Sequence, residues 1–320
     1  MKLVSYQHPD LGERVGYLQQ DHVLDLALAQ AWAQEGGRCL AQRPFPVTMI
    51  ELLEREGEGL RSAQELAATT ASAQIAELSF AIPLADTRLL SPVPRPRSFR
   101  DFYAFEEHVK TARARRGLDI VSEWYQFPVF YFSNHNAFLG PEAEVERPSY
   151  TEWLDYELEI ACVIGKTGRD IEPAEAHEYI AGFAVLNDWS ARDVQREEVK
   201  VGLGPAKGKD FATSMGPYLV TLDELEAVRE GERWQLEMTA SVNGQELSRG
   251  NFHKIYFSFG ELIARASEGV TLHPGDVIGS GTVGTGCILE LGTEVHRWLL
   301  PGDVVELEVE QLGILRNFVK

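Results

Sequence analysis

The sequence predicts an α+β protein, mainly β, with a small α/β N-terminal domain over residues 1–90 and a larger β-rich domain over residues 91–320. Three observations carry this expectation. Short apolar runs separated by turn residues dominate beyond residue 90. Helices interrupt these runs near Glu172–Tyr179 and Ile255–Ala266. Between the two textures lies Leu89-Leu90-Ser91-Pro92-Val93-Pro94-Arg95-Pro96-Arg97, whose prolines favour a stiff, extended linker.

In chain order, Val15–Leu18 and His22–Leu26 read as short strands around the polar turn Gln19-Gln20-Asp21. Val47–Glu56 and Ser62–Leu78 carry helical spacing with few breakers. Strand patterns follow at Pro128–Phe132, Leu154–Ile164, Tyr218–Thr221, Trp234–Val242, Val277–Ile278 and Val304–Glu310, with helices expected near Glu172–Tyr179 and Ile255–Ala266. Asn243-Gly244, Pro274-Gly275-Asp276 and Pro301-Gly302-Asp303 supply turns between strands.

Composition narrows the function. The chain has 320 residues, 44% apolar and 25% charged, which is ordinary for a globular protein. Its 30 basic and 49 acidic residues give a net charge of −19, which argues against nucleic acid or an anionic membrane as partner. An anionic substrate then needs a basic pocket set against the overall field. Cys39, Cys162 and Cys287 are odd in number and far apart, so neither a disulfide framework nor a zinc site is indicated. No signal-like N-terminus or long apolar run occurs, and the expected location is cytoplasmic.

The stretch Leu154-Asp155-Tyr156-Glu157-Leu158-Glu159-Ile160-Ala161 alternates as a strand does. Asp155, Glu157 and Glu159 should share one face, with Tyr156, Leu158 and Ile160 on the other. Such an acidic stripe is either a solvated face or a seat for a hard cation such as Mg²⁺, Ca²⁺ or Mn²⁺.

Four further segments carry chemistry. In Ser98–His108, a helix would place Asp101 and His108 two turns apart on one face; the alternative is a capping acid and a surface histidine. In Asn187-Asp188-Trp189-Ser190-Ala191-Arg192-Asp193-Val194-Gln195, helical spacing would align Asp188, Arg192 and Gln195; a capping acid with a surface ion pair is the other reading. Gly202–Thr213 is glycine-rich and carries Lys207 and Lys209, so it is either a ligand-approaching loop or a basic turn. Gly279–Gly286 intersperses glycines with hydroxyl residues, as an anion site or as a tight loop, and Glu290 follows it on an apolar run.

Together these segments resemble the fumarylacetoacetate hydrolase family, in the order DFY-x4-H, the ELE strand, NDWSARDxQ, GPxxGK and SGT, from about Asp101 to Glu290. The resemblance implies a fumarylacetoacetase-like β-sandwich or roll as catalytic domain. It implies Asp101, Glu157, Glu159 and Asp188 as ligands of Mg²⁺ or Ca²⁺, with Mn²⁺ an option. His108 matches the base that activates water, and Glu290 the carboxylate that orients it. Arg192, Gln195 and Lys209 match groups that receive substrate oxygens, while Tyr103, Tyr131 and Thr282 match substrate contacts. Asp155 matches a family position that is not a ligand. The implied activity is hydrolysis of a carbon–carbon bond in a small anionic β-diketo acid, with isomerisation or decarboxylation of a 2-oxo or 2-hydroxydiene dicarboxylate of aromatic catabolism on the same metal site as the alternative, a non-catalytic metal-binding homologue as the third reading, and a homodimer as the implied assembly.

The chain departs from the family pattern around the distal end of the substrate. Arg113, Arg115 and Arg116 all stand where one arginine is expected to meet a distal carboxylate, and Phe132–Asn136 and Ala206-Lys207 also differ. Thr111 stands where acylpyruvase-type relatives carry a glutamate, which favours Glu290 as the partner of His108.

Overall fold

The protein is described by a computed structural model covering residues 1–38, 43–115 and 117–320. Cys39 and Arg116 lie outside the described residues. Among those described, a twelve-stranded sheet forms the backbone of the molecule. Its main path runs from Ala81–Pro83 through His22–Asp25, Gly12–Gln19 and Lys2–His8 to Thr213–Val220, then Ile180–Asn187, Leu158–Ile164, Val277–Gly279, Phe99–Phe102 and Phe130–Phe132. A five-stranded sheet is ordered Gln245–Asn251, Glu237–Val242, Val304–Val309, Gly313–Val319 and Glu144–Val145. The α+β, mainly β expectation holds.

Leu158–Ile164 shows why the acidic strand turns apolar after Glu159. It is paired on both edges, to Ile180–Asn187 and to Val277–Gly279. It is also covered on both faces. Tyr156, Leu158, Ile160 and Cys162 join one apolar core with Phe183, Phe252 and Phe259. Ala161 and Val163 join another with Ala184, Leu186, Leu52 and Leu66. A strand buried on two faces reads as a continuous apolar run rather than an alternating one.

Helices α1 (Leu26–Glu35), α2 (Met49–Leu53) and α3 (Gly57–Thr70) contribute to that second core. Spacing did not single out α1, although Asp25 caps it through the Leu28 amide at 2.9 Å. The N-terminal strands are not separated from the rest, because Lys2 and Leu3 pair with Val220 and Leu219 in one continuous sheet. The proline-rich stretch is likewise packed rather than extended into solvent. Ser91 and Val93 are buried, and Ser5 Oγ donates to the Pro92 carbonyl at 2.7 Å. The helix expected over Glu172–Tyr179 reduces to a short 3₁₀ turn at Ala176–Tyr179. The one expected over Ile255–Ala266 begins later and packs on the first core: Phe259–Ser267 opens at a Ser258/Glu261 capping box.

Asp25 locks the N-terminal layer. Its carboxylate accepts from Arg14 Nε and Nη2, both at 2.8 Å, and from Tyr6 OH at 3.0 Å. Burial pushes this carboxyl upward, but Arg14 and the Leu28 amide outweigh it and hold it below the usual range. A folded pKa below the unfolded one gives stability that is complete above the unfolded value and disappears as pH falls through the folded one. Asp25→Asn should therefore cost about 3 kcal/mol at neutral pH. Urea midpoints should show the gap to wild type closing below pH of about 4; a gap independent of pH would contradict the assignment.

Candidate metal centre and active site

Four carboxylates, two on strands and two just beyond strand ends, converge in the interior. Asp101 lies on Phe99–Phe102, Glu159 on Leu158–Ile164, Glu157 just before that strand, and Asp188 just after Ile180–Asn187. One oxygen from each lies within 4.8 Å of the others, and all four residues are buried. Register makes this possible: Asp101 pairs in parallel with Gly279, and Gly279 is paired with Ala161, two residues beyond Glu159. Gly279 is required here by space. A Cβ at this position would sit 2.2 Å from Asp101 Oδ1 and 3.1 Å from Glu159 Oε2. Gly279→Ala should abolish cation-induced stabilisation, measured as the thermal shift on adding Mg²⁺; an unchanged shift would contradict the role of Asp101.

The cluster is short of positive charge. Arg192 donates to Glu157 Oε1 and Asp155 Oδ2, each at 2.8 Å. Lys209 Nζ bonds Asp188 Oδ2 at 2.7 Å and makes a very short contact with Glu157 Oε2. Two cations thus oppose five buried carboxylates. Burial pushes Glu157 upward, yet Arg192 and Lys209 prevail and hold it down at about 2. Asp101 is pushed up to about 8, first by burial and then by Asp188. Burial and then Asp101, Glu157 and Asp188 push Glu159 well above its ordinary range. Burial also raises Asp188, against the pull of Lys209.

These residues fit a hard divalent cation. Asp101 Oδ1, Glu159 Oε1 and Asp188 Oδ1 are buried without a hydrogen-bond donor. Orphaned carboxylate oxygens in a closed site are costly unless a cation takes them. An all-oxygen set suits Mg²⁺, Ca²⁺ or Mn²⁺ rather than a soft metal.

Beside this cluster stands a second constellation. His108 lies on α4 (Glu106–Ala114), and its Nδ1 makes a very short hydrogen bond to Glu290 Oε1. Glu290 is fixed in turn by the Thr285 amide on Oε2 at 2.9 Å and by Cys287 Sγ at 3.6 Å from Oε1. With Nδ1 committed to a carboxylate, Nε2 is the ring nitrogen left to take or give a proton. The His108 ring meets Tyr103 edge-on at 5.2 Å and lies within electrostatic reach of Glu157.

The structure changes several details of the sequence reading. Asp101 and His108 do not share a helix, since Asp101 is on a strand and His108 on α4. Asp188, Arg192 and Gln195 do not lie along one helix either. Asp188 follows a strand, and α5 (Arg192–Glu198) starts at Arg192, whose Nη1 donates to Gln195 Oε1 at 3.0 Å. The acidic strand breaks at Tyr156–Glu157, so Asp155 leaves the stripe and pairs within Leu154–Asp155 against Ser190–Ala191. Tyr131, opposite Asp101 in the sheet, makes a very short hydrogen bond from its hydroxyl to Asp188. Thr282 Oγ1 donates to the Leu158 carbonyl at 3.2 Å, beside the cluster.

Neither glycine-rich loop is an open anion cradle. The amides of Ala206, Lys207 and Gly208 are taken by the carboxylate of Glu198 at 2.7–3.1 Å. That role of Glu198 was missed, and its place on the last turn of α5, eight residues before Ala206, was the only signal for it. In the second loop, Gly281 N donates to Glu159 Oε2 at 3.2 Å and Thr285 N to Glu290. These loops position the carboxylates. Of the distal arginines, Arg113 Nε turns back to the Asp119 carbonyl at 2.5 Å, and Arg115 donates to the carbonyls of Glu290 and Leu291 at 3.1 and 3.0 Å.

A buried carboxylate cluster next to a histidine–glutamate pair, set in a mixed sheet, defines a candidate metal-dependent enzyme site. The chain belongs to the fumarylacetoacetate hydrolase family: residues 97–320 match the family described as Fumarylacetoacetate (FAA) hydrolase C-terminal. It is 30% identical over 328 residues to the Rattus norvegicus protein described as Oxaloacetate tautomerase Fahd2a, mitochondrial, covering 100% of this chain and 91% of that protein. It is 33% identical to the Homo sapiens Oxaloacetate tautomerase FAHD2A, mitochondrial, covering 86% of this chain and 80% of that protein. Among solved structures, the fumarylacetoacetate hydrolase of Exiguobacterium antarcticum matches with a TM-score of 0.72 at 27% identity, covering 100% of this chain and 99% of that one. The 5-carboxymethyl-2-hydroxymuconate delta-isomerase of Mycobacterium smegmatis matches with a TM-score of 0.67 at 25% identity and the same coverage. Among the described residues no helix is long and apolar enough to cross a membrane.

Proposed function

We propose that the protein is a divalent-metal-dependent enzyme that moves a proton at the carbon next to the carbonyl of a small anionic 2-oxo acid, with His108 as the base. The observation that carries this reading is the His108 Nδ1–Glu290 pair set beside Asp101, Glu157, Glu159 and Asp188. A carboxylate that holds one ring nitrogen leaves the other positioned for general base work. A bound Mg²⁺, Ca²⁺ or Mn²⁺ would be held by the four carboxylates and would supply Lewis-acid stabilisation of negative charge on the keto-acid oxygens. Arg192, Gln195 and Lys209 bring donors to the same oxygens. Tyr103, Tyr131 and Thr282 wall the substrate, and residues 91–320 carry this chemistry while residues 1–90 buttress the sheet behind it.

Keto–enol tautomerisation fits first, because relatives that span most of the chain are described as oxaloacetate tautomerases. The ties of Arg113 and Arg115 to backbone carbonyls agree with a short substrate. Hydrolysis of a carbon–carbon bond in a β-diketo acid, with water activated by His108, is the second reading. It is favoured by the likeness to a fumarylacetoacetate hydrolase at 27% identity over the whole chain. The free, buried Cys162 and Cys287 suit a reducing compartment such as the cytoplasm, and a homodimer is the proposed assembly.

The test is a panel of 2-oxo and β-diketo acids with Mg²⁺ in heavy water, followed by mass. Deuterium uptake without cleavage is the expected result. Cleavage products would move the assignment to the hydrolase, and neither outcome with any acid would contradict both.

A further inference from the structure

Asp155 is the one carboxylate of the acidic stretch that stays outside the cation cluster, and its own contacts explain why. It is fully buried, and each of its oxygens accepts two hydrogen bonds. Oδ1 takes the amides of Tyr156 at 2.9 Å and Ile288 at 2.8 Å. Oδ2 takes Arg192 Nε at 2.8 Å and the Leu289 amide at 3.0 Å. A carboxylate with its lone pairs so used has none left for a metal.

These four donors come from three places that the reaction needs in register. Tyr156 precedes Glu157 on the chain. Arg192 opens α5 and also holds Glu157 and Gln195. Ile288 and Leu289 open the short helix Ile288–Leu291, and the next residue is Glu290, the partner of His108. An unbroken chain of contacts therefore runs from Glu157 through Arg192 and Asp155 to the helix that presents Glu290.

We propose that Asp155 is a positioning residue that fixes the His108–Glu290 pair relative to Arg192 and Glu157. It touches neither substrate nor the reacting atoms and acts through Glu290. An asparagine has nearly the same shape but offers an NH₂ where one oxygen was, so two of the four donors lose their acceptor. In either amide orientation the helix that presents Glu290 loses one of its two bonds to this side chain. A misplacement of about 1 Å in such a pair lowers turnover about 100-fold, with little effect on KM.

The test combines two readouts on the full chain, and only the turnover arm rests on the reading of His108 as base. Protein labelled with nitrogen-enriched histidine should show a downfield proton resonance from the short Nδ1–H bond of His108, absent in Glu290→Gln. In Asp155→Asn this resonance should shift or broaden away while thermal unfolding still shows a cooperative, folded chain. On the turnover side, kcat for proton exchange on an active 2-oxo acid should fall with KM kept. Asp155→Asn should add nothing in a Glu290→Gln background, because both act through one pair. A folded Asp155→Asn with the wild-type resonance would overturn the proposal, as would multiplicative losses in the double variant. A wild type without the resonance would remove its premise and overturn it too. Should Asp155→Asn not fold, Leu289→Pro deletes a single donor in the first helical turn, where proline is tolerated. The same displaced resonance is expected there, and an unchanged one overturns the proposal.

Discussion

Replacing His108 by alanine is expected to lower kcat by about 10²- to 10⁴-fold, the range typical for loss of a general base. The imidazole is held by Glu290 through Nδ1, and the four carboxylates lie on other elements. The cation site should therefore survive the substitution. Thermal stabilisation by Mg²⁺ should match wild type while turnover is lost. Glu290→Gln should show a smaller loss, because the ring stays in place but loses a charged partner. A His108→Ala enzyme within a few-fold of wild type would move the proton transfer to another group.

Neutralising Glu159 should have the opposite pattern on stability. Its carboxyl sits among Asp101, Glu157 and Asp188, with Oε1 unsatisfied and Oε2 held by the Gly281 amide at 3.2 Å. Burial and these like charges make the ionised form unfavourable when nothing neutralises the cluster. Glu159→Gln keeps at constant shape the neutral state that the cation-free cluster favours, and removes the charge that a cation would need. Without cation its melting temperature should equal or exceed that of wild type. With cation at 100 times its Kd, wild type should gain about 2.7 kcal/mol, and the variant should gain far less. Melting curves with and without Mg²⁺ check both halves. A variant that is less stable without cation and equally stabilised by it would contradict the metal assignment.

Local pattern carried a good deal of this. Tyr156, Leu158 and Ile160 alternate into one core as their spacing says, and the turn at Asn243-Gly244 joins two paired strands. The four carboxylates that the motif resemblance implies as ligands lie together in space. What pattern did not carry depends on distant partners. The break at Tyr156–Glu157 accompanies bonds from Asp155 to Ile288 and Leu289, more than 130 positions away. Asp101 is a strand residue because Val277–Gly279 and Phe130–Phe132 flank it, whereas its own neighbours read as the start of a helix. The glycine loop at 202–213 reads equally as a ligand-approaching loop or a basic turn because glycine reports backbone freedom and not its occupant, which is Glu198. The proline stretch is packed because Ser5 and the sheet edge meet it, and proline content alone reports only stiffness.

The central claim is that Asp101, Glu157, Glu159 and Asp188 hold one divalent cation. The most direct measurement is a Mn²⁺ titration of chelator-treated protein, with free Mn²⁺ read by electron paramagnetic resonance. Wild type is expected to take up one Mn²⁺ per chain, displaceable by Mg²⁺, and Asp101→Asn and Glu159→Gln are expected to take up none in the same range. Equal uptake by wild type and both variants, or no uptake by the folded wild type, would contradict the account.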